Sequence, residues 1–173
     1  TDSIPGDALI AGGARLVFDQ ATDGSFDGEI DGAGRVEKIG AGTLILTEPN
    51  GYTGGTTITA GTLEGFVAAG GSSLQGDIVN NASLRFAQGA VTFADDISGS
   101  GSVEKQGTGT LTLTGSNSFG GGLTISQGVV IGSSRSIPGA VVLAAQVDDG
   151  MGGMVPSGAQ LIFDQENADA TPL

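Results

Sequence analysis

Cysteine, histidine and tryptophan are all missing from this 173-residue chain. Without cysteine there is neither a disulfide scaffold nor a thiolate metal site. Without histidine or cysteine, Ser-His-Asp and Cys-His catalytic arrangements cannot be assembled within it. Positive charge is also scarce: 6 Lys plus Arg stand against 19 Asp plus Glu, a net charge of −13. So few cations cannot neutralise phosphates, which excludes nucleic acid and argues against anionic membrane as a partner. No run of 18 or more apolar residues occurs, so no membrane insertion of this segment is expected. No stretch carries an apolar stripe at helical spacing with caps. The chain opens on Thr1, and it is expected to be a processed or excised piece of something longer.

What the chain does have is glycine, 33 residues of it, and an internal match. Gly34 to Gly65 reappears further on as Gly101 to Gly132, with 17 of 32 positions identical. Among the retained pairs are Glu37-Lys38 and Glu104-Lys105, Asn50 and Asn117, Gly61 and Gly128. A second phrase occurs three times, as Leu16 to Gln20, Leu84 to Gln88 and Leu161 to Gln165. A third runs Ser3-Ile4-Pro5-Gly6, Ser73-Leu74-Gln75-Gly76 and Ser136-Ile137-Pro138-Gly139. The chain therefore reads as a single segment with copies over about 1–67 and 68–134 and a partial third copy over 135–173, the last lengthened by a loop near Asp148 to Gly153.

Leu44 and Leu46 stay apolar between copies while Ile45 becomes Thr112. That period of two marks short strands with one buried and one wet face. Frequent glycines supply tight turns between them. A sandwich of hairpins does not require a phrase to return at a fixed interval. A solenoid does, because every coil offers the same inward face to its neighbours. At about 20–24 residues per coil, the interval from Gly34 to Gly101 makes about three coils and the chain about eight. Each buried Leu, Ile, Val or Phe contributes about 1.5–3 kcal/mol before chain entropy.

Gly34-Arg35-Val36-Glu37-Lys38-Ile39-Gly40-Ala41-Gly42-Thr43-Leu44-Ile45-Leu46-Thr47, continuing through Asn50 to Leu63, resembles the autotransporter-associated β-strand repeat, as does Gly101 to Gly132. The two stretches cover more than a third of the chain. The resemblance implies an all-β, right-handed parallel β-helix from the passenger of a type V secreted autotransporter of Gram-negative bacteria. It implies a place at the bacterial cell surface or in the secreted fraction, beyond an outer membrane crossed with the help of a C-terminal β-barrel of the same precursor. Expected roles are adhesion or virulence and efficient passenger secretion, with a host-cell or extracellular-matrix ligand or self-association as partner. The alternatives are a purely structural stalk that presents a distal adhesin or enzyme, and, more remotely, a polysaccharide-active β-helix.

No catalytic, cofactor-binding or metal residue is expected, and the chain is read as no enzyme. Asp95-Asp96 and Asp148-Asp149 are paired acids of the kind that serve glycosidases, but Asp96 parallels Glu29 on the same shift as the other repeat pairs, and acids in glycine-rich turns are expected to be solvated. Asp27 to Gly32 mimics half an EF-hand loop, yet its twelfth position is Lys38 where a bidentate Glu is needed. It is expected to be a strand entry. The acidic cluster Asp19, Asp23, Asp27, Glu29 and Asp31 is the remaining cation candidate. Asn50 and Asn117 are expected to bond within their own turns, and the two Glu-Lys pairs to be solvated rim charges. Asp19 and Asp164 are read as surface, since the middle copy has Ala87. Binding is expected where the repeat breaks: the loop from Val147 to Met154 with its two methionines, the acidic turn from Thr22 to Asp31, and the apolar run Val141 to Ala145.

Overall fold

A computed structural model describes residues 2–4, 6–65, 67–68, 71–87, 89–148 and 154–164. Among them there is no helix. Parallel strands of two to five residues stack as a three-sided β-helix. Strand after strand alternates buried and exposed side chains, as Thr43–Leu46, Thr62–Gly65 and Thr110–Leu113 do, which is the period of two read from the sequence.

The first face carries eight strands: Asp2–Ile4, Gly24–Phe26, Thr43–Leu46, Thr62–Gly65, Ser83–Phe86, Ser102–Lys105, Leu123–Ile125 and Val141–Leu143. The second face has Ala8–Ile10 paired with Ile30–Gly32, and later Val91–Phe93, Thr110–Leu113, Val129–Gly132 and Gln160–Phe163. On the third lie Arg15–Asp19, Arg35–Ile39, Thr56–Ile58, Ile78–Asn80 and Ile97–Ser98. Two antiparallel hairpins interrupt the winding, Val67–Ala68 with Gly71–Ser72 and Gln146–Asp148 with Met154–Pro156. The second answers the expected loop; the first had no sequence signal. Residues 149–153 of that loop, Met151 and Asp149 among them, lie outside the described residues, as do Gln88 and Gln165.

Register partners lead from Asp2 through Gly24, Leu44, Leu63, Leu84, Val103 and Leu123 to Val141 in seven steps of near-equal length. One of those seven turns is broken by the Val67–Ser72 hairpin, so the rod has about six regular turns, somewhat fewer than the eight expected. The repeat also spans more than the three turns expected. With steps of that length, the interval between the two copies comes close to three and a third turns. Arg35–Ile39 on the third face corresponds to Ser102–Lys105 on the first, and Thr43–Leu46 on the first to Thr110–Leu113 on the second. The Leu-x-Phe phrase does the same, moving from Arg15–Asp19 on the third face to Ser83–Phe86 on the first and Gln160–Phe163 on the second. Each copy is turned by one face.

Inward columns build one continuous core. Leu44, Leu63, Leu84, Val103 and Leu123 stack at consecutive rungs of the first face, each at most 1% exposed. Phe18 meets Phe26 edge-on across a corner at 5.3 Å, and Phe86 meets Phe93 at 5.6 Å. Where the inward position is Gly65 or Gly132, the space is taken by Leu74 and Ile137, whose side-chain atoms lie 2.5 and 2.8 Å from where a Cβ would stand. That explains why the Ser-Leu/Ile phrase recurs. The corner glycines Gly61 and Gly128 have φ of +70° and +80°, and a Cβ on either would lie 2.4 Å from two carbonyl oxygens of the turn below.

Leu84→Ala should cost about 2–5 kcal/mol, because leucine below and valine above hold the cavity open. Denaturant unfolding measures it.

Candidate functional site

The side chains that set this rod apart from a plain hydrophobic solenoid sit at its corners. Lys38 and Lys105 are buried, at 0% and 1% exposure, and not the solvated rim charges expected. Each begins as an inward position, Lys38 between Phe18 and Ile58 and Lys105 between Phe86 and Ile125. The Lys38 Nζ donates to Ile39 O at 2.7 Å, Gly40 O at 2.8 Å and Ala60 O at 3.4 Å. Lys105 donates likewise to Gln106 O and, at 2.7 Å, to Gly107 O. The long stem fills core space while the ammonium collects carbonyls that turn inward at a glycine corner. Loss of water outweighs those bonds and pushes both ammonium groups below the ordinary lysine value.

Asn50 and Asn117 also differ from expectation. They do not bond their own turns but clamp the turns on either side. Asn50 Oδ1 accepts Ile30 N–H at 2.7 Å, and its Nδ2 donates to Ser73 O at 2.6 Å. Asn117 Oδ1 accepts Ile97 N–H at 2.8 Å, and its Nδ2 donates to Ser136 O at 2.6 Å. A third buried asparagine, Asn80, donates to Ser102 O at 2.8 Å. Backbone bonds between turns continue only in part through the corners, and these amides serve backbone groups that the ladder leaves over.

The acids have a structural duty too. Asp7, Asp23, Asp77 and Asp96 each accept the backbone N–H of a residue one turn on, from Glu29, Thr43, Asp96 and Ser116 at 2.7–3.1 Å. The Thr43 N–H holds the Asp23 carboxyl below its ordinary range. The acidic cluster is thus spread over several corners. Asp27 and Glu29 line an open hollow of about 420 Å³ with Asp7, Glu48 and Pro49, whereas Asp31 lies on the second face. Ile30, in the EF-hand-like stretch, starts a strand and is buried. No group of three acids among the described residues is placed to hold a metal. Glu104 is half-buried; burial opposes its charge, but Ser126, Gln106 and Arg85 together keep the carboxyl below its ordinary value. Arg85 also reaches Glu64 at 3.0 Å, so one guanidinium bridges two rungs.

The departures from regular winding gather at one corner. The acidic hollow, the Val67–Ser72 hairpin and the Gln146–Pro156 hairpin all lie where the first face passes to the second. Val142, Leu143, Ile162 and Phe163, in the last rungs of these faces, are 46–58% exposed. Asp19 and Asp164 are exposed and Ala87 is buried in the corresponding place.

The passenger-associated-transport-repeat family matches residues 36–64 and 103–131. The adhesin BmaC autotransporter of Brucella suis biovar 1 (strain 1330) is 38% identical over 164 residues, which covers 75% of this chain. The chain belongs with the repeat-bearing autotransporter passengers. It spans about 5% of the length of that relative, and no solved structure matches it. In this passenger segment each matched transport repeat contains a buried lysine, a clamping asparagine and a corner glycine set against two carbonyls of the turn below: Lys38, Asn50 and Gly61, then Lys105, Asn117 and Gly128. The lysines stand two residues after the buried Val36 and Val103, and that strand period was the sequence signal that they are inside.

Asn117→Ala leaves the Ile97 N–H and the Ser136 carbonyl unpaired in the interior, at about 1–3 kcal/mol for each; urea titration should show a fall of a few kcal/mol. Because the unfolded chain keeps the two lysine protons to higher pH than the folded rod does, stability should rise as pH climbs through the lowered values toward 10.5. Tyr52, whose hydroxyl burial pushes up, acts in the opposite sense and only above 10.0, where the unfolded chain loses the proton first and stability falls, so the rise is read below pH 10. Thermal melts of Lys38→Met/Lys105→Met should lose it.

Proposed function

We propose that this segment is a non-enzymatic stretch of a surface-displayed passenger rod, with an adhesive role carried by the corner between its first and second faces. The supporting observation is the gathering of both hairpins at that corner of an otherwise regular solenoid, since departures from a rigid scaffold are where binding loops stand. The similarity to a protein named as an adhesin supports the same reading. The partner is a host-cell or extracellular-matrix ligand, and the passenger leaves the cell through the C-terminal outer-membrane β-barrel of its own precursor. The transport repeats support secretion by making each turn stick to the last: Lys38 and both asparagines bond to neighbouring turns, so every turn laid down outside the membrane resists sliding back.

A second reading, the structural stalk, is favoured by the unbroken core that runs from Ile10 to Ile137. Removal of 147–154 separates the two. If the corner binds, purified protein should show saturable binding to immobilised matrix components or host cells, and the deletion should reduce it at least tenfold while the β-sheet circular dichroism stays unchanged. Equal, non-saturable signals from both forms would leave the stalk.

A further inference from the structure

Asn50 is the one asparagine of the chain that is followed by glycine. Such a step is chemically weak. The backbone nitrogen of the glycine attacks the asparagine side-chain Cγ, expels ammonia and closes a five-membered succinimide; water then opens that ring to aspartate or to isoaspartate, in which the main chain runs on through the side chain. Attack needs a backbone free to fold back on itself, and glycine, with no Cβ beside the nitrogen, hinders it least. The second copy has Ser118 in the corresponding place, after Asn117. The structure gives the glycine of the first copy a reason: a Cβ on Gly51 would stand 2.0 Å from Asp31 Oδ1. In the second copy the shorter Ser98 replaces that acid.

In the folded rod the reacting groups are held apart. The Gly51 N–H donates to Ile30 O at 2.8 Å. Asn50, 7% exposed, has its Oδ1 on the Ile30 N–H at 2.7 Å and its Nδ2 on Ser73 O at 2.6 Å. Bringing the nitrogen onto Cγ breaks these bonds and must let water into a closed interior. We infer that Asn50 is a deamidation site that folding switches off, so that the first transport repeat chemically records the time its chain spends unfolded. The product does not fit back into the rod. An aspartate still accepts the Ile30 N–H with one oxygen, but it turns the other, where an N–H donor stood, toward the Ser73 carbonyl, so two acceptors face one another and a carboxylate replaces an amide in the interior. Isoaspartate lengthens the main chain at the corner and moves the Gly51 and Tyr52 N–H groups off Ile30 O, which both now reach. Asn117 is clamped alike, on Ile97 and Ser136, but is followed by serine. The inference concerns the chemistry of the repeat and holds whether the rod is an adhesin or a stalk.

Two samples of the purified chain, one folded in buffer and one unfolded in guanidinium chloride, are aged side by side at the same warm temperature and mildly alkaline pH, where the glycine nitrogen loses its proton more readily. Peptide mass spectrometry reads the gain in mass when amide becomes acid; aspartate–glycine steps such as Asp27-Gly28 isomerise without a change of mass and do not interfere. Residue 50 should convert at least tenfold faster in the unfolded sample than in the folded one, and within the unfolded sample at least tenfold faster than residue 117. Returned to buffer, the converted fraction should not regain the wild-type melting curve, and a freshly made Asn50→Asp chain should fail in the same way. Asp31→Ser/Gly51→Ser gives the first copy the residues of the second; it should melt like wild type when fresh and, aged unfolded, should keep its amide and refold. Asp31→Ser alone retains the Asn50-Gly51 step and should age as wild type does. Equal rates in folded and unfolded samples, equal rates at residues 50 and 117, or an acid at residue 50 that leaves melting unchanged would each overturn the inference.

Discussion

A stacked turn hands its backbone N–H and C=O groups to its neighbours most regularly where it runs straight. At the corners the chain bends and the ladder continues only in part, as from Gly54 N–H to Gly34 O and from Gly121 N–H to Gly101 O, and a closed core offers no water to the groups left over. Everything distinctive here answers that constraint. Asn50, Asn80 and Asn117 stretch an amide from one turn to the next. Lys38 and Lys105 bring a cation to inward-facing carbonyls, and Asp7, Asp23, Asp77 and Asp96 accept N–H groups on the outside. Buried polar groups that are fully paired fix a single arrangement, whereas an oily core alone tolerates slips of register.

The same constraint accounts for what the transport repeat keeps between its copies. Lys, Asn and Gly are kept because they serve corners; Ile39 and Gln106, or Ile45 and Thr112, drift because they face outward on strands or lie just past them. Three faces and turns of near-equal length make all corners near-equivalents. A repeat unit of this length can therefore begin on any face, and in this rod successive units begin on different ones.

Strand positions and the parallel solenoid were legible because Leu44-x-Leu46 and Leu16-x-Phe18 alternate openly and return at a fixed interval. Turn length was less so: glycines mark corners but do not say whether three or three and a third turns separate two copies, and only pairing along the Asp2 to Val141 column settles it. The lysines were misread because a charge beside glutamate looks wet in one dimension; in the strand, Glu37 and Glu104 point outward and the next side chain points in. The asparagines were assigned to local turns because their partners, Ile30 and Ser73 for one and Ile97 and Ser136 for the other, lie a full turn away on each side.

A rotation of one face per repeat also decides how such a rod looks from a distance. Were the unit a whole number of turns, any loop or charge it bore would line up along one side, and the rod would have a front and a back. With a third of a turn left over, the corresponding feature of the next copy points out from the next face round, and three copies complete the circle. Decoration of the repeat is thereby spread evenly about the axis, and a tethered rod built this way addresses its surroundings from every side without having to turn.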